Sequence, residues 1–398
     1  MTDYRLPLSK ILFALAAVAA FCLFNPARAM AADPSTPGVL CLPGVYQAEP
    51  ENCLAIGPST VRAQQAKQGM PLPLRPLPAA QSPVALAAVP YSYAMLPKGT
   101  STPVFGTLDD ARANQNASYY IEPGDLRYIS YVDVAYDEGS AKPDYFMLRD
   151  GGWVAGRDVA TRVGGTNRFQ GLVFRRTPER PFGWIMPLVS DLRPKAAPGY
   201  NAPEADAPLL YPYQPVQIYA TQQADNVEWY LVGPGQWVEQ RMIARVLPNP
   251  TPPEGVTGNR WIEVNLFEQT LAVYENNQLV FATMIATGID PFFTRPGVFQ
   301  IRNKLESTPM SGAFAGDRSD YYYLQDVPWT MYYDQARALH AAYWRTRFGY
   351  QQSHGCVNLS PGDAHWLFDW AQVGDWVYVW DPSGATPTDP KYYGDGGA

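Results

Sequence analysis

The three histidines of the chain, His340, His354 and His365, all lie between positions 340 and 365, and Cys356 sits among them. The densest part is Ser353-His354-Gly355-Cys356-Val357-Asn358. Thiol acyl transfer needs a thiolate, an imidazole to hold or shuttle its proton, and fixed donors for a tetrahedral oxyanion. This segment holds residue types for all three. Cys356 is the candidate nucleophile, because a thiolate forms at neutral pH once its pKa is drawn below the roughly 8.5 of an ordinary thiol. His340 is the candidate general base and later general acid, since its separation from Cys356 lets it fold back from a neighbouring element. His354 diverges from the nucleophile if the segment is extended, and is read as a positioning residue. Gly355 allows a sharp turn in which nearby amides can face an oxyanion.

The competing chemistry is a zinc site built from His340, His354, Cys356 and His365, which lacks the usual paired ligand spacing and a nearby glutamate base. The thiol reading needs no metal and no cofactor. Trp329, Tyr332, Tyr333, Tyr343, Trp344, Arg345 and Arg347 surround the motif in sequence and are candidates for a groove that binds substrate and pairs with its carboxylates. For Arg345 and Arg347 a solvated surface is the equal alternative.

Positioning these residues calls for a β-rich scaffold. Ile262, Val264 and Leu266 alternate with polar residues, as do Leu271 and Val273, and Asn276-Asn277 separates that strand from the apolar run 279–286, which predicts an antiparallel meander. Further strands are expected at 297–301, 321–324, 329–332 and 376–380. One helix is expected, with Ser360 as N-cap, Pro361 in its first turn, Asp363 as the capping-box carboxylate, Trp366, Leu367 and Trp370 on one face, and Gly374 as its end. His365 lies on this helix and is read as a core residue.

Upstream, an internal repeat aligns Trp153-Val154-Ala155-Gly156-Arg157 with Trp237-Val238-Glu239-Gln240-Arg241 at a constant offset (237 − 153 = 84). Each copy reads as strand, tight turn, strand, with an upstream strand at 128–134 or 216–221. The pattern resembles bacterial Src-homology-3-like modules found beside cell-wall enzymes. Trp153 and Trp237 are read as barrel-core residues in preference to groove residues.

The 398 residues allow two to four domains at roughly 100–200 residues each. A net charge of −7 offers no electrostatic footprint for nucleic acid, and 39 prolines with 26 tyrosines argue against an all-α architecture. Arg5 and Lys10 precede an apolar run at 11–24, followed by Ala27, Ala29, Ala31 and Ala32, the layout of a secretory signal peptide too short to span a bilayer. Phe21 before Cys22 disfavours lipid attachment. Export removes Cys22 and leaves Cys41, Cys53 and Cys356; Cys41 and Cys53 can close a short loop, which leaves Cys356 over. The expected organisation is a signal peptide at 1–31, a Pro/Ala-rich spacer at 32–90, small β-barrels at 91–165 and 166–248, a linker at 249–258, a catalytic domain at 259–382 and a tail at 383–398.

His340, twelve intervening residues and Ser353-His354-Gly355-Cys356-Val357-Asn358 resemble the signature of the L,D-transpeptidases with a YkuD-type catalytic domain. The likeness extends over about 260–381 and departs at Thr294-Arg295-Pro296-Gly297, where the family more often has Thr-Pro-x-Gly. The resemblance implies a mainly β fold and a Cys-His site acting on peptidoglycan stem peptides outside the membrane. It further implies that the cysteine attacks a stem carbonyl, expels the terminal D-Ala and passes the acyl group to an amine of a second stem, and that a backbone carbonyl orients the histidine. By motif position the resemblance makes Cys356 the nucleophile and His340 the base, with Ser353, His354, Gly355 and Asn358 shaping the site and its oxyanion donors. The readings left open are an L,D-carboxypeptidase at the same site and a non-catalytic wall-binding protein. The expected location is the cell wall, periplasm or extracellular space, with no membrane span in the mature chain.

Overall fold

Upstream of the motif region, two strands reach the site: β1 (Ser92–Met95) and β2 (Leu126–Ala135), which pair antiparallel. The computed structural model describes residue 70 and residues 76–163, 169–318 and 320–394. The signal peptide at 1–31 and the Cys41–Cys53 pairing lie outside these residues, as does most of the spacer at 32–90.

The motif region is built on two sheets. In the first, β3 (Leu172–Phe174) joins the meander of β4 (Arg260–Asn265), β5 (Thr270–Glu275) and β6 (Gln278–Met284). Asn276 and Asn277 both have positive φ (52° and 58°), the paired left-handed conformation that a two-residue hairpin turn requires. This sheet also holds β7 (Gly297–Gln300) and β12 (Trp376–Trp380), the latter parallel to β4.

The second sheet contains β8 (Asn303–Gly312), β9 (Tyr322–Asp334), β10 (Arg337–Ala341) and β11 (Val357–Leu359). The last two run parallel with His340 opposite Asn358. Leu339, Ala341, Val357 and Leu359 share a buried core with Ile262, Val264, Val273, Val377 and Val379 of the first sheet. Because side chains alternate across a strand, Ala338, His340 and Asn358 then fall on the face away from that core.

Two helices accompany the sheets. Helix α1 (Leu108–Ala113), which hydrophobic spacing did not announce, is capped by Thr107 accepting from the Asp110 amide. Helix α2 (Pro361–Trp370) starts as expected, with Ser360 Oγ accepting from the Asp363 amide at 3.3 Å, and buries Ala364 and Leu367 in the shared core. It ends four residues earlier than Gly374, where Lys304 Nζ donates to the carbonyls of Phe368 and Ala371, both at 2.5 Å, placing a cation on the negative end of the helix. The carboxylate of Asp363 accepts from the Gly171 amide at 2.8 Å and from Thr283 Oγ1 at 2.5 Å, tying the helix start to the first sheet.

The repeat around the two tryptophans appears as Tyr145–Leu148 with Trp153–Ala155 and as Val227–Gly233 with Gln236–Glu239. Trp237 is buried beside Trp229 and Leu231, and Trp153 is half-buried beside Phe105 and Tyr145. The single strand expected at 216–221 is instead two, Pro215–Gln217 and Ala220–Ala224, pairing with different partners. The strands of the 91–165 region also do not stand apart from the motif region: β2 pairs parallel with β9, Leu126 opposite Tyr322 and Tyr128 opposite Leu324, so the second sheet continues into them. Among the described residues no helix is long and apolar enough to cross a membrane.

Candidate active site

Cys356 lies in the turn that leads into β11 and is 2% exposed. Its thiol is outside any disulfide. Sγ accepts from the Ala338 amide at 3.4 Å and donates toward the Ala336 carbonyl at 3.8 Å, so the sulfur is held against the start of β10. Ser353 Oγ donates to the Cys356 carbonyl at 2.6 Å and accepts from the Gly355 amide at 3.2 Å, closing the turn from inside. Thr294 Oγ1 donates to the Gly355 carbonyl and accepts from the Gly288 amide, both at 2.9 Å. Gly355 has φ of +119°, a conformation that side chains rarely tolerate. Its amide, one of those expected to face an oxyanion, is the one that donates to Ser353.

His340 is 1% exposed, and both ring nitrogens are engaged. Nδ1 lies 3.1 Å from the Ala341 carbonyl and Nε2 lies 3.1 Å from Asn358 Nδ2. Asn358 Oδ1 in turn accepts from Arg345 Nε at 2.5 Å. Arg345 also donates to Gln352 twice, NH1 to Oε1 at 3.0 Å and NH2 to the carbonyl at 2.7 Å. The loop after β10 is thereby stapled to the segment before Cys356.

The charges beneath the turn form a second set. Asp334, 4% exposed, receives both Arg295 (Nε 2.9 Å, NH2 2.6 Å) and Arg337 (NH1 3.0 Å). Arg337 Nε and Tyr333 Oη are buried without a hydrogen-bond partner among the described residues. Burial pushes the Cys356 thiol up to about 11, against the pull of the Ala338 amide and the Arg337 guanidinium. Burial draws His340 down to about 4; the Ala341 carbonyl opposes this and Arg345 adds to it. Arg345 itself is drawn down to about 10 by burial. At neutral pH the resting thiol and imidazole are therefore both uncharged.

The structure places the other sequence candidates as follows. His354 is half-buried and packs its ring among Phe292, Phe314 and Tyr322. Trp329, 8% exposed, faces the core and stacks on His365 at 4.3 Å, so it is a packing residue with no groove surface. Tyr343 is likewise buried, stacked on Tyr93 of β1 at 3.5 Å. Trp344 is half-buried, its ring 5.8 Å from that of His340 and 6.3 Å from that of Tyr128 of β2. Tyr332 is half-buried near Met310 and Val327, Tyr333 is in the core, and Arg347 is exposed. His365 bonds the Leu86 carbonyl at 3.3 Å.

Sequence reasoning missed Arg337, Asp334, Gln352 and Tyr128. For the first two a signal existed: an acid and a base three apart, just beyond the strand expected at 329–332. Among the described residues no three His, Cys, Asp or Glu side chains are grouped as a metal site.

Residues 259–379 match the family of L,D-transpeptidase catalytic domains, YkuD. The chain is 34% identical over 135 residues to L,D-transpeptidase 1 of Mycobacterium tuberculosis (strain H37Rv), covering 31% of this chain and 51% of that protein. It is 29% identical over 123 residues to L,D-transpeptidase 2 of Mycobacterium tuberculosis (strain CDC 1551), covering 29% of this chain and 30% of that one. The chain thus spans about half or less of the length of these relatives. Among solved structures, the catalytic domain of the E. faecium L,D-transpeptidase is similar at 28% identity over 32% of this chain and 100% of that one, with a TM-score of 0.29. An L,D-transpeptidase from Mycobacterium smegmatis is similar at 16% identity over 53% and 90%, also with a TM-score of 0.29.

Proposed function

We propose that this chain, whose residues 259–379 are a YkuD L,D-transpeptidase catalytic domain, is an exported cell-wall enzyme that cross-links peptidoglycan stem peptides through an acyl-enzyme on Cys356, with His340 as general base and acid. The observation that carries this is the parallel pairing of β10 with β11, His340 opposite Asn358, which sets the imidazole strand beside the strand that the cysteine turn enters. No cofactor takes part.

In the first half-reaction the thiol proton passes from Sγ to His340 Nε2 as sulfur attacks the carbonyl carbon of the donor stem. The carbonyl π pair moves to oxygen, and amides of the Cys356 turn receive the negative charge. Collapse breaks the bond to the terminal D-Ala, whose nitrogen takes the proton from Nε2. In the second, the amine of another stem attacks the thioester, gives its proton to Nε2, and displaces the sulfur, which recovers that proton. The Ala341 carbonyl holds the Nδ1 proton throughout, so that Nε2 is the nitrogen that exchanges.

Full-length protein incubated with tetrapeptide stems and read by mass spectrometry tests the reading. A dimer lighter than two stems by the mass of one free D-Ala, abolished in Cys356→Ala and His340→Ala, is the expected result. Full activity of Cys356→Ala would overturn the mechanism, and a tripeptide in place of the dimer would replace cross-linking by hydrolysis.

A further inference from the structure

His340 can act as a base only while Nε2 carries a lone pair, and a primary amide beside it decides whether it does. We infer that Arg345 is a positioning residue for the base: by holding Asn358 Oδ1 it turns the Asn358 amide group toward His340 and fixes the ring as its Nδ1–H tautomer. The logic is one of donors and acceptors. A guanidinium donates and never accepts, so the Asn358 atom against Arg345 Nε at 2.5 Å is the carbonyl oxygen. The other end, facing Nε2 at 3.1 Å, is then NH2, and Nε2 must accept. The ring proton is left on Nδ1, where the Ala341 carbonyl at 3.1 Å receives it.

Arg345 is well placed to enforce this. One N–H from each terminal nitrogen is fixed on the side chain or backbone of Gln352, and the guanidinium carries no carboxylate partner among the contacts of the site. The charged and titratable groups around the pair are few. Arg345 faces His340 from the loop after β10, Cys356 stands two residues before Asn358, and Tyr128, Tyr350 and His354 face Arg345. Protonating Nε2 would set N–H against the Asn358 NH2, and flipping the amide would set that NH2 against the guanidinium. Either arrangement loses a buried hydrogen bond, so Arg345 keeps the resting imidazole neutral.

The consequence for turnover rests on the transpeptidase reading. The thiol proton reaches Nε2 only as Asn358 Nδ2 yields that lone pair. The imidazolium so formed has a donor beside it and is driven to pass its proton on to the leaving amine. The tautomer lock itself does not depend on the substrate.

The test uses full-length protein with 15N-labelled histidine, in which three imidazoles are resolved by their ring-nitrogen shifts. In the parent, the His340 signals report a bare Nε2 and a protonated Nδ1 at pH 7. Arg345→Met, which keeps the apolar stem, is expected to give a tautomer mixture and to move the His340 titration upward toward pH 6.5. Arg345→Lys, still a donor without acceptor, is expected to restore the single tautomer. Asn358→Asp, which can only accept at neutral pH, is expected to place the proton on Nε2. An unchanged tautomer and titration in Arg345→Met, or a bare Nε2 in Asn358→Asp, would overturn the inference. Stem acylation by Arg345→Met is expected to fall by on the order of 100-fold, within the range for losing an oriented general base. If the parent shows no stem activity while the tautomer shifts as described, the positioning role stands and the transpeptidase reading fails.

Discussion

If the resting thiol and imidazole are both neutral, the sulfur should be a slow nucleophile toward small reagents and should gain reactivity with pH far beyond the range of an ordinary activated cysteine. Burial places the Cys356 thiol at about 11. At pH 7 that leaves about one thiolate in 10⁴, against about one in 30 for a solvent-exposed thiol near 8.5. The population difference is about 300-fold. A more basic thiolate is also the better nucleophile, with a slope of about 0.4–0.5, which returns roughly a factor of ten and leaves a deficit of about 25-fold before any steric screening. The assay is the rate of iodoacetamide addition from pH 5 to pH 10, followed on the peptide that contains Cys356 so that other cysteines do not contribute. The logarithm of the rate should climb with unit slope through pH 9, with no plateau below it. A rate that is level between pH 6 and 9 would mean a thiolate–imidazolium pair already formed at rest, and would refute both the neutral ground state and the role given to Arg345 in maintaining it.

Two further outcomes concern the groups that support the site. Asp334→Ala should leave the buried guanidinium of Arg337 and the half-buried one of Arg295 without a counter-charge, lowering unfolding free energy by about 3–5 kcal/mol; a loss below about 1 kcal/mol in urea denaturation would show that the three charges are not a unit. Asp363, fully buried, is pushed up to about 6 by burial against the hydrogen bonds of Thr283, Gly171 and Ser360. A carboxyl raised in the fold contributes stability that is complete below its unfolded value near 3.9 and is lost as pH rises through 6, here about 3 kcal/mol. Asp363→Asn cannot ionise and should gain on the parent by that amount between pH 4 and 8. His340 works in the opposite sense, its contribution being lost as pH falls from 6.5 through 4, but it is common to both proteins and cancels in the difference. A parent-to-variant difference that is independent of pH would show that Asp363 does not titrate in this window.

Much of the motif region was legible because its signals are local. The alternation at 262–266, the Asn276-Asn277 turn and the Ser360 cap depend on neighbours in sequence, and each appears at its place in the fold. What was not legible depends on contacts made across the chain. Trp329 reads as a groove aromatic beside the motif, yet its ring stacks on His365 of the helix, a contact 36 residues away in sequence, from a backbone with φ of 53°. Arg345 reads equally as a substrate-binding residue or as solvated surface, and only the return of Gln352 and Asn358 to its side shows where its donors go. Helix α1 was missed although Thr107 and Asp110 have capping spacing, because six residues are too few for a hydrophobic period to register.

The pairing of β2 with β9 changes how the upstream strands bear on the chemistry. Tyr128 flanks Trp344 and Tyr93 stacks on Tyr343, the two aromatic residues immediately before Arg345. Tyr93 Oη also donates to the Asp326 carbonyl at 2.7 Å, and Asp326 receives Arg149 at the same distance. The loop that carries Arg345 is therefore pinned at one end by the histidine strand and along its length by a region that sequence alone assigns to a separate module. A buried polar chain from Gln352 through Arg345 and Asn358 to His340 keeps its directions only if each member stays within hydrogen-bond reach of the next. Tyr93 stacked on Tyr343 and Tyr128 packed against Tyr343 and Trp344 restrain the two residues that precede Arg345. In this fold the surroundings of the His340 ring are thus built jointly by the 259–379 region and by strands more than a hundred residues upstream of it.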